Sequence, residues 1–230
     1  MNQELPRAVL WDMDGTLVDT EPYWFLAQRE LLGRYSIAWT QEQAHALVGS
    51  ALPDSAAFFQ QLGVPLPADE LIGTLIGKVT ARTRAEIPWR PGARRLLQEL
   101  DSLGVPCALV TMSRGPLAQV LLDALPPDTF DVVVTGEMVR CGKPDPEPYL
   151  LAVQQLCRRH ELPPEAARAM VAVEDSPPGV RSALAAGLCT VGVPNMVPLE
   201  ALPGLVRWDS LADRSAAQLG ALVGRPLLAG

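Results

Sequence analysis

The sequence predicts an α/β protein, a doubly wound parallel sheet with an all-helical subdomain inserted after the first strand. Three observations lead there. Short apolar runs recur along the chain, and each stops at a polar or turn-forming residue. Stretches with helical hydrophobic spacing separate most of these runs, as crossover connections between parallel strands require. One long segment breaks the alternation, with helical patterns and no convincing strand.

Taken in order, Ala8 to Trp11 is the first run and stops at Asp12. Cys107 to Val110 stops at Thr111, Val132 to Val134 at Thr135, Met170 to Val173 at Glu174-Asp175, and Leu188 to Val193 at Pro194. Short, continuous apolar runs of this kind read as strands buried on both faces. Ala93 to Leu103 puts Leu96, Leu97, Leu100 and Leu103 on one helical face, and Pro146 to His160 and Gly179 to Ala186 are similar. Val206 and Trp208 suggest an edge strand, and Ser215 to Val223 a last helix. The interruption contains helical patches at Glu21 to Arg34, Gln41 to Leu47, Asp54 to Leu62 and Ala68 to Ala85, punctuated by Pro53, Gly63, Pro65 and Pro67. The expected division is a core of residues 1–19 and 89–230 with a helical cap of residues 20–88, hinged near Asp19-Thr20 and Glu86 to Pro91. In such sheets ligands bind beyond the carboxyl ends of the strands, where the polar residues named above fall.

Composition narrows the classes of function. With 230 residues, 48% of them hydrophobic and 20% charged, the chain can bury a core without disulfides or structural metal. The net charge is -7, and no stretch concentrates Lys and Arg, which argues against nucleic acid. Met1 to Arg7 lacks the apolar run of a signal peptide, and no stretch reaches the ~18 apolar residues of a membrane span. Cys107, Cys141, Cys157 and Cys189 form no CxxC pair, and His45 and His160 are the only histidines, so a Cys/His zinc site is not expected. Reduced cysteines in a cytoplasmic monomer are the simplest expectation, with Cys107 and Cys189 in the core. Of the 19 basic residues only Lys78 and Lys143 are lysines.

The chemistry concentrates where the first strand ends, in Asp12-Met13-Asp14-Gly15-Thr16-Leu17-Val18-Asp19. Two carboxylates two residues apart can face one small site, and Gly15 permits a sharp turn. An acidic turn without chemistry is the alternative, since Asp and Gly are common in turns. Thr111 can equally end a strand, Lys143 can be a surface lysine, and Asp175 or Ser176 can cap the following helix. Gly73 to Lys78 loosely imitates a phosphate-binding loop, but it is one residue short, continues with Val79 and lies in the helical insertion. No GxGxxG or GxSxG occurs.

Four segments in order carry a resemblance. DMDGTLVDTEP from Asp12, the strand ending at Thr111 in ALVTMS, GKPDPEPY around Lys143, and Glu174-Asp175-Ser176 with Gly179 resemble the four motifs of the haloacid dehalogenase-like hydrolases. The match runs from about Ala8 to Val193. The resemblance implies a Mg²⁺-dependent phosphoryl-transfer enzyme. Asp12 would be the nucleophile and Asp14 the general acid and base. Thr111 and Lys143 would hold the transferring phosphoryl oxygens. The metal would take Asp12, the backbone carbonyl of Asp14, Asp175, and Glu174 either directly or through water. Ser113 and Arg114 are weaker candidates for substrate contact.

Within the family, the second acid at Asp14 favours phosphate esters over dehalogenation, and the insertion is similar to the helical cap of the β-phosphoglucomutase-like branch. Two departures bear on the reaction. The mutase histidine is replaced in Glu21-Pro-Tyr-Trp24, and Val48 to Asp54 lacks an arginine for a second phosphate. The EPxW form is similar to sugar-phosphate phosphatases. Trp24 would either stack on a sugar or belong to the cap core. The expected activity is hydrolysis of a small phosphorylated metabolite. A phosphomutase, or a non-catalytic protein binding such a metabolite, is the alternative.

Overall fold

The computed structural model describes residues 5–48, 50 and 52–223. Six strands form one parallel sheet: β1 (Ala8–Trp11), β2 (Cys107–Val110), β3 (Val132–Val134), β4 (Met170–Glu174), β5 (Cys189–Gly192) and β6 (Leu205–Arg207). Their order is β3-β2-β1-β4-β5-β6. The chain therefore builds outward from β1 on one side, then returns to build outward on the other. The order reverses between β1 and β4, and an open α/β sheet forms its ligand crevice beyond such a reversal.

Register fixes what reaches the crevice. Trp11 pairs with Leu109 on β2 and with Val173 on β4, so the residues that follow these strands emerge at one level. Asp12 N–H donates to Val173 O (3.0 Å) and Thr111 N–H to Val134 O (2.9 Å), which extends the ladder one step past each apolar run. Burial on both faces explains why these strands read as unbroken apolar runs.

Alternate residues face opposite layers. Val9, Trp11, Leu109, Val171 and Val173 meet α5 (Ala93–Ser102), α6 (Gly115–Asp123) and α9 (Ala216–Val223). Ala8, Leu10, Ala108, Val110, Met170 and Ala172 meet α7 (Glu147–Arg159) and α8 (Pro177–Ala185). Leu96, Leu97 and Leu100 are buried on α5 as their spacing predicts, whereas Leu103 ends the helix 49% exposed. Helix α6 has no counterpart among the predicted helices. Gly115 to Asp123 is apolar on several sides because it packs against both the sheet and the insertion, which blurs its helical period.

Helices α1 (Glu21–Gly33), α2 (Gln41–His45), α3 (Leu52–Gln61) and α4 (Ala68–Ala85) form the insertion. Both α1 and α3 pack on α4. Trp39 meets the Phe59 ring edge-on at 5.4 Å, and its indole N–H donates to Gln28 Oε1 (3.1 Å), satisfying its polar end. Lys78 pairs with Glu30 (2.6 Å) on the insertion surface, so the imitation phosphate loop is one side of α4. The two connections to the core run side by side. Val18 bridges Trp89 antiparallel, and Asp19 N–H donates to Pro88 O (2.8 Å).

All four cysteines are free. Cys107 is buried as expected, but Cys189 is only partly so because it opens β5. The predicted edge strand is β6, paired parallel to β5, and Trp208 turns back into the core. Among the described residues no helix is long and apolar enough to cross a membrane.

Candidate active site

Lys143 organises the crevice. Its ammonium is buried and donates to Asp12 Oδ1 (2.7 Å), Glu174 Oε1 (2.6 Å) and Val110 O (2.9 Å). It is therefore not the surface lysine that its residue type alone allowed. Burial by itself would lower its pKa, but the charges of Asp12 and Glu174 override that and raise it. The lysine stays charged at any working pH.

Glu174 is wholly buried and receives four donors. Lys143 and the Tyr149 hydroxyl (2.7 Å) meet Oε1, and Asp175 N–H (3.2 Å) and Ser176 Oγ (3.4 Å) meet Oε2. Burial and the charge of Asp12 nevertheless push its pKa up to about 7 against the pull of Lys143 and Tyr149. Asp175 is also raised well above the ordinary aspartate value, by burial and by the charges of Asp12 and Glu174. Ser176 accepts from Gly179 N–H (3.2 Å) and so caps α8, which leaves the Asp175 carboxylate to the crevice.

Asp14 sits across from this group. Thr20 Oγ1 donates to its Oδ1 (2.5 Å), and Ser113 Oγ (2.7 Å) and Thr111 Oγ1 (3.3 Å) donate to its Oδ2. Burial raises its pKa, and the Thr20 and Ser113 hydrogen bonds oppose the rise. A carboxyl raised in this way keeps its proton to higher pH than an ordinary aspartate, as a general acid requires.

The donor set fits a hard divalent cation. Asp12, Glu174 and Asp175 each offer a carboxylate oxygen within 4.8 Å of the others. Asp12 Oδ2 is buried without a hydrogen-bond partner, although its twin is bound to Lys143. Three carboxylates beside one lysine leave negative charge uncompensated, and an all-oxygen set of this kind suits Mg²⁺. The turn that follows is shaped to the group. Gly15 has φ +89°, and a Cβ there would stand 2.0 Å from Asp175 Oδ2. Gly15→Ala should therefore displace Asp175, and any rise in melting temperature that added Mg²⁺ produces in the parent should be largely lost. A variant with the parent's rise would show that the added methyl does not disturb the Asp175 carboxylate.

The sequence candidates are mostly brought together. Asp12, Asp14, Thr111, Ser113, Lys143 and Trp24 line one cleft between core and insertion. The Ser113 hydroxyl lines the cleft and spends its proton on Asp14, so it could meet a substrate only as an acceptor. Arg114 is not in the cleft wall. It immediately precedes α6, and its guanidinium lies 3.8 Å from Asp69 of α4, across the seam between core and insertion. Trp24 is partly buried against the insertion core and also lines the cleft, so it stands where either role could be played. The Val48 to Asp54 loop lies partly outside the described residues, at 49 and 51.

Three contributors were missed: Thr20, Tyr149 and Glu21. Tyr149 closes the GKPDPEPY motif and was visible there without a role. Thr20 and Glu21 follow the first motif directly, yet only the fold shows that they return to Asp14 and to the cleft. Burial and the carboxylates of Asp14, Asp19 and Asp12 push the Glu21 pKa up to about 8.

A parallel sheet carrying these four motifs at its carboxyl edge defines a phosphoryl-transfer hydrolase. The model of the haloacid dehalogenase-like hydrolases matches residues 9–193, and the chain belongs to that family as a phosphoric monoester hydrolase. It is 34% identical to Protein CbbY of Cereibacter sphaeroides, over 97% of this chain and 98% of that protein. It is 33% identical to hexitol phosphatase A of Escherichia coli K12, over 81% of this chain and 82% of that protein. Among solved structures it is similar to a CbbY mutant from Rhodobacter sphaeroides in complex with xylulose-(1,5)bisphosphate. That similarity has a TM-score of 0.79 and 29% identity, over 91% of this chain and 96% of the other.

Proposed function

We propose that this protein is a Mg²⁺-dependent phosphatase of small sugar or polyol phosphate monoesters, acting through a phosphorylated Asp12. The observation that carries the reading is the state of Asp12. Lys143 fixes one of its oxygens, and the other is buried without a partner beside the raised carboxyl of Asp14. The name of the hexitol phosphatase relative supports the same class of substrate.

Asp12 attacks phosphorus, and the bond to the leaving oxygen breaks. Asp14 gives that oxygen its proton, then takes a proton from the water that cleaves the acyl phosphate. Lys143 and Thr111 stabilise charge on the transferring oxygens. A bound Mg²⁺ would be held by Asp12, Asp175, the Asp14 carbonyl and Glu174, directly or through water, and would supply electrostatic screening between carboxylate and phosphate. Residues 20–88 act as the cap, excluding water and reading the alcohol.

The mutase alternative is disfavoured by the insertion's half of the cleft, which offers no cation among the described residues to hold a second phosphate. The test is phosphate release from a panel of esters with and without Mg²⁺. Tight binding of one ester with turnover of none would replace the enzyme by a sensor. Interconversion of hexose phosphate isomers would restore the mutase.

The buried acids also predict a pH dependence. In the metal-free protein, Glu21 and Glu174 titrate near 8 and 7 when folded, above the ordinary glutamate value of 4.5. The folded state therefore binds these protons more tightly than the unfolded chain. Their contribution is complete below the unfolded value and is lost as pH rises through the folded values. The melting temperature without metal should fall from about pH 5 to about pH 8, and Mg²⁺ should flatten the decline. A level metal-free profile would contradict the burial of these carboxyls.

A further inference from the structure

Two stretches of chain join the insertion to the core, and they are zipped to each other. Val18 bridges Trp89, Asp19 N–H donates to Pro88 O (2.8 Å), and Arg90 N–H donates to Leu17 O (2.9 Å). A two-stranded ribbon this short is marginal by itself. The loop after β5 supplies a further hold. Its root is fixed, because Val193 N–H donates to Glu174 O (2.7 Å) at the end of β4. Pro194 O then accepts from Arg90 Nη2 (3.0 Å), and Asn195 uses both ends of its amide. Its Oδ1 accepts from Arg90 Nη1, and its Nδ2 donates to Asp19 Oδ1 (2.8 Å). Asp19 belongs to the outgoing stretch and Arg90 to the returning one, so one side chain grips both. A cation needs an acceptor and an anion a donor, and an amide offers one of each. All three residues are half-buried, and each bond has an ionic member, which strengthens it. Met196, next in the loop, shares the walls of a hollow with Pro22, Phe25 and Leu26 of α1, so the same loop also reaches the insertion.

We propose that Asp19, Asn195 and Arg90 form a clasp that sets where the insertion stands over Asp12. Asn195 is thus a positioning residue for the cleft, although it is not among the residues that line it. Trp24, Gln28 and Ser55 reach the cleft from the insertion, and their distance from the nucleophile depends on the angle at the two stretches. Loss of the amide frees Asp19 from the loop and removes one of the two loop acceptors of Arg90. The Val18–Trp89 bridge keeps the stretches together, so the insertion swings as a unit instead of unfolding. The clasp is independent of which ester the protein hydrolyses.

A charge swap tests this on the full chain, read by amide hydrogen exchange and small-angle scattering. Asn195→Asp keeps an acceptor for Arg90 but sets a second carboxylate against Asp19. The amides of Asp19 and Arg90 should then exchange at least about tenfold faster than in the parent, while those of β4 and α4 keep the parent's rates. The radius of gyration should rise. Combining Asn195→Asp with Asp19→Asn restores a donor facing an acceptor, so exchange and radius should both return toward the parent. A double variant that exchanges as fast as the single one overturns the proposal. So does an Asn195→Asp protein with the parent's exchange, or with faster exchange throughout the chain. Fast hinge exchange with the parent's scattering confines the contact to the ribbon and overturns its role in placing the insertion. If Asn195→Asp fails to fold, the parent decides. Its Asp19 and Arg90 amides should exchange within about tenfold of those of β5, and rates typical of open loops overturn the clasp.

Discussion

Asp12→Asn should abolish phosphate release, by about 10⁴-fold or more, the scale on which loss of a covalent nucleophile is felt. The substitution is nearly isosteric, so the packing around β1 is untouched. It exchanges one carboxylate oxygen for an amide nitrogen and removes the charge that attacks phosphorus. It also removes one of the two ionic partners of Lys143, whose ammonium keeps Glu174 (2.6 Å) and Val110 O (2.9 Å). The fold should therefore survive, as circular dichroism would show, while steady-state phosphate release disappears. Activity within a hundredfold of the parent would dismiss Asp12 as nucleophile and move attention to direct attack by water with Asp14 as base.

Lys143→Met should damage both stability and activity. Among the described residues the lysine is the one cation beside Asp12, Glu174 and Asp175, and its side chain is 3% exposed. Methionine fills much of the same volume but leaves buried carboxylates facing one another. Removing one partner from a buried ionic group typically costs about 3–5 kcal/mol. For a chain of this size that corresponds to a drop of roughly 6–20 °C in melting temperature. The deficit has a signature that a packing defect lacks. It should shrink as pH falls toward 5, where the carboxyls take up protons, and also when Mg²⁺ supplies positive charge. A deficit independent of both pH and Mg²⁺ would mean that Lys143 acts by packing against Tyr149, whose ring centre is 5.1 Å from its ammonium. Turnover should fall in either case, because the fixed positive charge of the site is gone.

Much of the fold was legible because a parallel sheet writes itself plainly. Strands buried on both faces must be short apolar runs, and the residues that end them must lie at one edge. This rule placed Asp12, Thr111 and Glu174-Asp175 in the crevice before any contact was known. The same rule could not expose α6, since a helix pressed between the sheet and α4 carries no single polar face. Nor could it separate Ser113 from Arg114. They are neighbours in sequence, but the turn into α6 aims one hydroxyl at Asp14 and sends the guanidinium toward Asp69.

By itself the sequence determined the doubly wound sheet, the helical insertion and the types of residue that carry the chemistry. These depend on local spacing and on where apolar runs end, and both are properties of the linear chain. The tertiary structure alone decided their pairing. Lys143 meets Asp12 across 131 positions, Thr111 meets Asp14 across 97, and Tyr149 meets Glu174 across 25. Burial and ionisation at Asp14, Glu21 and Glu174 follow from those pairings. A carboxyl's environment is set by what packs around it, and no neighbour along the chain can state that in advance.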